Sequence, residues 1–197
     1  MPVARIQGRS DKYVLVSGHY DSWYEGITDN GVANAAMMEI ARVFQENQEH
    51  LERSVVLAWW SGHSDGRFSG STWYCDSHYA DLRKNCVAHV NLDLTGCKNS
   101  EQIVARTAGS EGISYTADLI EKYTGKRPDV YIPMIRGADQ SFWGAYVPIT
   151  IMLKYEPLPE KRLSDCPSGG PWWHTPKDTI DNCLLYTSPS PRDGLLS

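Results

Sequence analysis

Two histidines and two aspartates are the residues most able to do chemistry together: His19 in VSGHYDS, Asp29 in GITDNG, Asp93 in HVNLDLTG and His174 in WWHTPKDT. Imidazole nitrogen and carboxylate oxygen are the donors that hold zinc or a similar divalent ion, and a shared carboxylate lets two ions sit roughly 3.5 to 4 Å apart. His19 is followed two residues later by Asp21, a carboxylate of the kind that orients a ligand imidazole or accepts its second N–H. The stretch YVLVSG runs as a buried strand straight into these polar groups. Left unpaired in an apolar surrounding, each would cost on the order of a few kcal/mol. Each also has a plainer reading: His19 as a strand-end histidine bonded to backbone, Asp29 as a side-chain cap for the following helix, Asp93 as a buried structural acid, His174 as an exposed loop residue stacked on tryptophan.

Elements must carry these groups to one place. Apolar, β-rich runs occur at Tyr13 to Ser17, Val55 to Trp60, Val87 to Leu94, Gln102 to Thr107 and Pro148 to Leu153. Helical patterns lie between several of them. Gly31 to Phe44 places Ala35, Met38, Ile40 and Ala41 at near-helical spacing behind Asp29 and Asn30, and Glu111 to Tyr123 is a second amphipathic segment. This alternation predicts an α/β layered sheet. In such sheets ligands gather beyond the carboxyl ends of the strands, where SGHYDS, SGHSDGR and NLDLTG all fall.

The 197 residues, 41% hydrophobic and 22% charged, suit one globular domain. A formal charge of -5 without any Lys/Arg cluster argues against a nucleic-acid partner, and no apolar run reaches the roughly 18 residues of a bilayer span. MPVARIQGRSDK has no apolar core of the kind a signal peptide carries, and the sequence leaves the compartment and oligomeric state open. Cys75, Cys86, Cys97, Cys166 and Cys183 are odd in number and lack CxxC spacing, so buried thiols are expected, with one pair able to bridge in an exported protein. No internal repeat is evident, and EPLPEKRLSDCPSGGP, from Glu156 to Pro171, reads as a long irregular loop. One domain over 1–182, cut from a longer protein at both ends, is expected. After it, 183–197 ends in LLYTSPSPRDGLLS, turn formers that look non-native or disordered.

In order and spacing, VLVSGHYDSWYEGITDNGVANAAMMEIARVF, VVLAWWSGHSDGRFSGSTWY, VNLDLTG, RGADQSFWGAYVPITIML and HTPKDTID resemble the M28 family of zinc-dependent aminopeptidases and carboxypeptidases. The resemblance covers roughly residues 13 to 181. It implies a three-layer α/β/α fold with a mixed, mostly parallel central sheet, and hydrolysis of a terminal peptide bond in a peptide substrate. It also implies two zinc ions: His19 and Asp93 each holding one with another ligand, Asp29 bridging, His174 completing the site, and Asp21 behind His19.

The family carries a Glu-Glu pair after the third of these strands, the first as general base and the second as metal ligand. Here the segment reads SGHSDGRFSGS. Aligned on Gly70 and Ser71, Ser64 and Asp65 take the pair's place; aligned on Gly66, His63 and Ser64 do. His63 is then a proton acceptor or a ligand, and Asp65 a shorter substitute carboxylate ligand. Gln140 stands where the family often has a histidine that supports the transition state. A homologue with an impaired site, serving as a binding scaffold, is the alternative reading. A serine hydrolase is excluded: there is no GxSxG elbow, and Ser71 lacks an assigned histidine partner. His50, His78 and His89 have no motif and read as structural or solvated. Most tryptophans read as core, with Trp172, Trp173 and Phe142 expected along a pocket wall.

Overall fold

A computed structural model describes residues 1–97, 100, 102–107, 112–131, 139, 142–156 and 170–183. Seven strands form one sheet in the order β1-β3-β2-β4-β7-β5-β6, where β1 is Val3–Ile6, β2 Ser10–His19, β3 Arg53–Trp60, β4 Cys86–Leu92, β5 Gln102–Thr107, β6 Asp129–Tyr131 and β7 Thr150–Glu156. The four central strands β3, β2, β4 and β7 are parallel, while β1 pairs antiparallel with β3 and β5 antiparallel with β7. The sheet is therefore mixed and mostly parallel, as expected. Its parallel centre puts the carboxyl ends of β2, β3, β4 and β7 along one edge.

Alternation along the central strands buries both faces. Tyr13 and Leu15 of β2, with Val56, Ala58 and Trp60 of β3, join Tyr74, Leu82, Phe142 and Val147 in one core. Val16, Val55, Leu57 and Leu92 point the other way, into a core with Ile6, Ala33 and Met37. The first core is covered by α2 (Ser69–Ser77) and α3 (Tyr79–Asn85), the second by α1 (Val32–Glu46). Helices on both faces make the three layers. A fourth helix, α4 (Ile113–Thr124), ends at Gly125, whose φ of 70° suits a residue without Cβ.

Two details differ from the sequence reading. Met38 is exposed and Met37 buried, because α1 begins at Val32 and packs through Ala33, Met37, Ile40 and Phe44. Phe142 is no pocket wall; it lies in the core, stacked on His89 at 4.5 Å between centroids. The expected tail from 184 onward, most of the irregular loop (157–169), Cys166 and Gln140 lie outside the described residues. Cys97 and Cys183 face each other in an isolated antiparallel bridge.

Candidate metal centre

β2 ends on His19, pairs there with Trp60 of β3, and is held by Asn34 of α1, whose amide donates to the His19 carbonyl at 3.1 Å. The His19 ring donates from Nδ1 to the backbone carbonyl of Asp21 at 2.8 Å. With Nδ1 committed to that carbonyl, Nε2 is the ring atom aimed inward. Asp21 thus orients His19, but through its carbonyl; its carboxylate accepts the Ser64 N–H at 2.9 Å and ties down the loop after β3.

Asp29 lies in an irregular turn, 27–31, ahead of α1. The helix receives no side-chain cap, so the capping role is not taken up by Asp29. Instead the turn is clamped from both sides. The Asp178 carboxylate accepts the N–H and hydroxyl of Thr28 at 2.7 and 2.6 Å and the N–H of Asp29 at 3.1 Å. Asn30 donates to the Leu92 carbonyl at 3.0 Å and accepts the Leu94 N–H at 3.2 Å, locking the turn to the end of β4 where Asp93 stands.

Four side chains then converge. His19 Nε2 lies 3.0 Å from Asp29 Oδ1 and 3.5 Å from Asp93 Oδ1, and His174 Nε2 lies 3.1 Å from Asp29 Oδ2. Asp29 therefore spans the two imidazoles with its two oxygens. His19 and Asp93 face the same side of it. His174, on the loop 170–183, is held by stacking on Trp173 at 3.8 Å and is flanked by Trp23 at 6.0 Å.

The electrostatics call for a cation. Burial opposes charge on His19, but the Asp29 and Asp93 carboxylates outweigh it and lift its pKa to about 11. Burial likewise disfavours ionised Asp29, yet His174 and His19 hold it well below the usual carboxylate range. Although these groups are close, neither His19 Nε2 nor Asp93 Oδ1 makes a hydrogen bond, and both are buried. Orphaned donors of zinc-binding type fit a divalent ion.

The loop after β3 brings a fifth group. His63 lies with His19 and Asp93 in a cluster whose ligand atoms all fall within 4.8 Å of one another. Its ring stacks on His19 at 3.8 Å with 8° between planes. Asp65, offered as a ligand from the sequence, is exposed and outside that cluster. Its neighbour Ser64 has a buried hydroxyl without a hydrogen bond. Ser71 is fully buried with its hydroxyl turned to Asp139, so it is no nucleophile.

Residues 3–189 match Peptidase family M28. The chain belongs to that family. Among curated relatives, mouse Aminopeptidase NAALADL1 is 28% identical over 213 residues, covering 93% of this chain and 28% of its own length. An Aminopeptidase of Pseudomonas aeruginosa is 31% identical over 107 residues, 53% of this chain and 19% of its own. The chain thus spans less than a third of these relatives. Among solved structures, BSAP, a zinc aminopeptidase from Bacillus subtilis, superposes with a TM-score of 0.77 at 19% identity, over 92% of this chain and 44% of that one. A glutaminyl cyclase from an Acidobacteriales bacterium gives 0.67 at 20% identity, over 92% and 66%. At these identities the likeness is one of fold, and it agrees with the three-layer architecture described above.

Two residues that contact the site's side chains or turn escaped the sequence reading, Asp139 and Asp178. Asp178 had a signal, four residues after His174 in HTPKD. Asp139 lies beside Gln140 in the RGADQSFW run, but nothing in that run tells of its contact with His63.

Proposed function

We propose that this chain is the catalytic part of a zinc-dependent exopeptidase that removes residues from the amino end of a peptide. The observation that carries the reading is the Asp29 carboxylate set between His19 and His174. His19, Asp93 and Asp29 Oδ1 would hold one ion; Asp29 Oδ2 and His174 would hold a second. Bound zinc supplies Lewis acidity, making water acidic near neutral pH and polarising the scissile carbonyl. Asp21 keeps His19 Nε2 directed inward and fastens Ser64. His63, beside this centre and 16% exposed, takes the proton of the attacking water and returns it to the leaving amine.

A second reading is supported by one specific feature. Among the described residues, the side of Asp29 that faces His174 lacks a third protein donor, because Ser64 and Asp65 supply no carboxylate there. A chain retaining one ion, or none, and turning over nothing would be a scaffold.

Zinc-loaded protein, assayed on aminoacyl chromogenic substrates with a chelator control and with metal content measured, separates the two. Chelator-sensitive turnover is expected, and His63→Ala lowering kcat on the order of 10²-fold or more with metal content unchanged. Stoichiometric zinc without turnover on any substrate would sink the hydrolase reading.

A further inference from the structure

We infer that Asp139 is the positioning residue that allows His63 to stand in for the missing glutamate base. The inference rests on the hydrolytic reading above. Asp139 is 1% exposed, and its Oδ2 lies 2.5 Å from His63 Nδ1. Its other oxygen accepts the hydroxyl of Ser71, in the first turn of α2. With its amide oriented to satisfy both of its polar atoms, Asn91 donates to the Asp139 backbone carbonyl at 3.0 Å. The carboxylate is thus fixed at both oxygens and through its backbone.

An ionised carboxylate only accepts hydrogen bonds, so the proton in this contact belongs to His63 Nδ1. A neutral imidazole protonated at Nδ1 has its lone pair on Nε2. The ring cannot swing away, since it lies flat on His19 and edge-on to Phe68 at 4.9 Å.

The stacking also decides between base and ligand. An imidazole lone pair lies in the ring plane, and the planes of His19 and His63 are only 8° from parallel with centroids 3.8 Å apart. The lone pairs of the two rings therefore lie in separate, nearly parallel planes, and the two imidazoles do not converge on one point as a ligand pair would. His63 Nε2 addresses instead what sits beside the ion that His19 would hold. In the step it serves, water gives a proton to Nε2 and its oxygen forms a bond to the carbonyl carbon. The C–N bond then breaks as His63 H⁺ passes that proton to the departing amine, which restores the neutral Nδ1–H imidazole.

The test uses the full zinc-loaded chain. Long-range ¹H–¹⁵N NMR of His63 is expected to show the Nδ1–H tautomer in the parent and a mixture in Asp139→Asn. Kinetically, Asp139→Asn should lower kcat on the order of 10²-fold while KM stays within about threefold and zinc content is unchanged. Ser71→Ala, which frees one oxygen of Asp139, should lower kcat by about tenfold and serves if the first variant fails to fold. A parent His63 protonated at Nε2 overturns the inference without recourse to any variant, and so does an Asp139→Asn enzyme with parental kcat. If the parent hydrolyses nothing, the hydrolytic reading fails and His63 is no base, whereas the tautomer still reports whether Asp139 orients it.

Discussion

The Asp178 carboxylate accepts the backbone N–H of Asp29 at 3.1 Å across 149 residues of sequence. With the two bonds it takes from Thr28, it fixes the turn that aims the Asp29 oxygens at His19 and His174. Replacing it strands two buried N–H groups and a hydroxyl. Asp178→Ala is expected to cost about 3 kcal/mol, with Asp178→Asn milder, measured from the denaturant midpoint. Zinc affinity should fall by roughly 10- to 100-fold in both, although Asp178 is not among the proposed ligands.

Zinc held at the proposed centre would have to displace a proton from His19. In the metal-free protein its pKa stands near 11 against an ordinary 6.5, so the ring is charged throughout the neutral range. Calorimetry at pH 7.5 in buffers of different ionisation enthalpy should register about one proton released at this ligand per zinc bound. The sign for stability follows. A raised imidazole pKa contributes stability that is complete below about 6.5 and is lost as pH rises through about 11, so the metal-free protein should melt lower at pH 10 than at pH 7.

The two sides of Asp29 should empty separately. His19→Ala or Asp93→Ala removes a donor from the buried side and should abolish tight zinc binding. His174→Ala removes a 38% exposed imidazole from the other side and should leave about one ion bound, as read by metal analysis after dialysis. Loss of all metal from His174→Ala would contradict this grouping.

Gly70 sits where α2 meets the end of β3. A Cβ there would lie 2.4 Å from the Ser61 carbonyl oxygen, a backbone atom with nowhere to go. Gly70→Ala should cost about 1 to 3 kcal/mol and, by pushing Ser71 and the Ser61–Phe68 loop apart, should lower kcat more than KM.

Much of the frame was legible because the strands are buried on both faces. Five predicted strands recur within three residues of their expected ends, since Val, Ile, Leu and Trp runs admit few other environments. The edge strand Val3–Ile6, short β6 and the direction of β5 were not legible: their placement depends on partners far along the chain. Helix α2 escaped for a different reason. SGSTWYCDS has only Ser71 and Tyr74 buried and little apolar periodicity to betray it.

By itself the sequence determined that His19, Asp29, Asp93 and His174 are donors of the metal-binding type at strand ends and in loops, because residue type and strand punctuation are local properties. Only the tertiary structure decided which donors share a side of Asp29, that Asp21 works through its carbonyl, that Asp65 faces outward, and that Asp139 meets His63. These depend on distance and direction between groups up to 155 positions apart, as for His19 and His174, and no local preference of the chain encodes them.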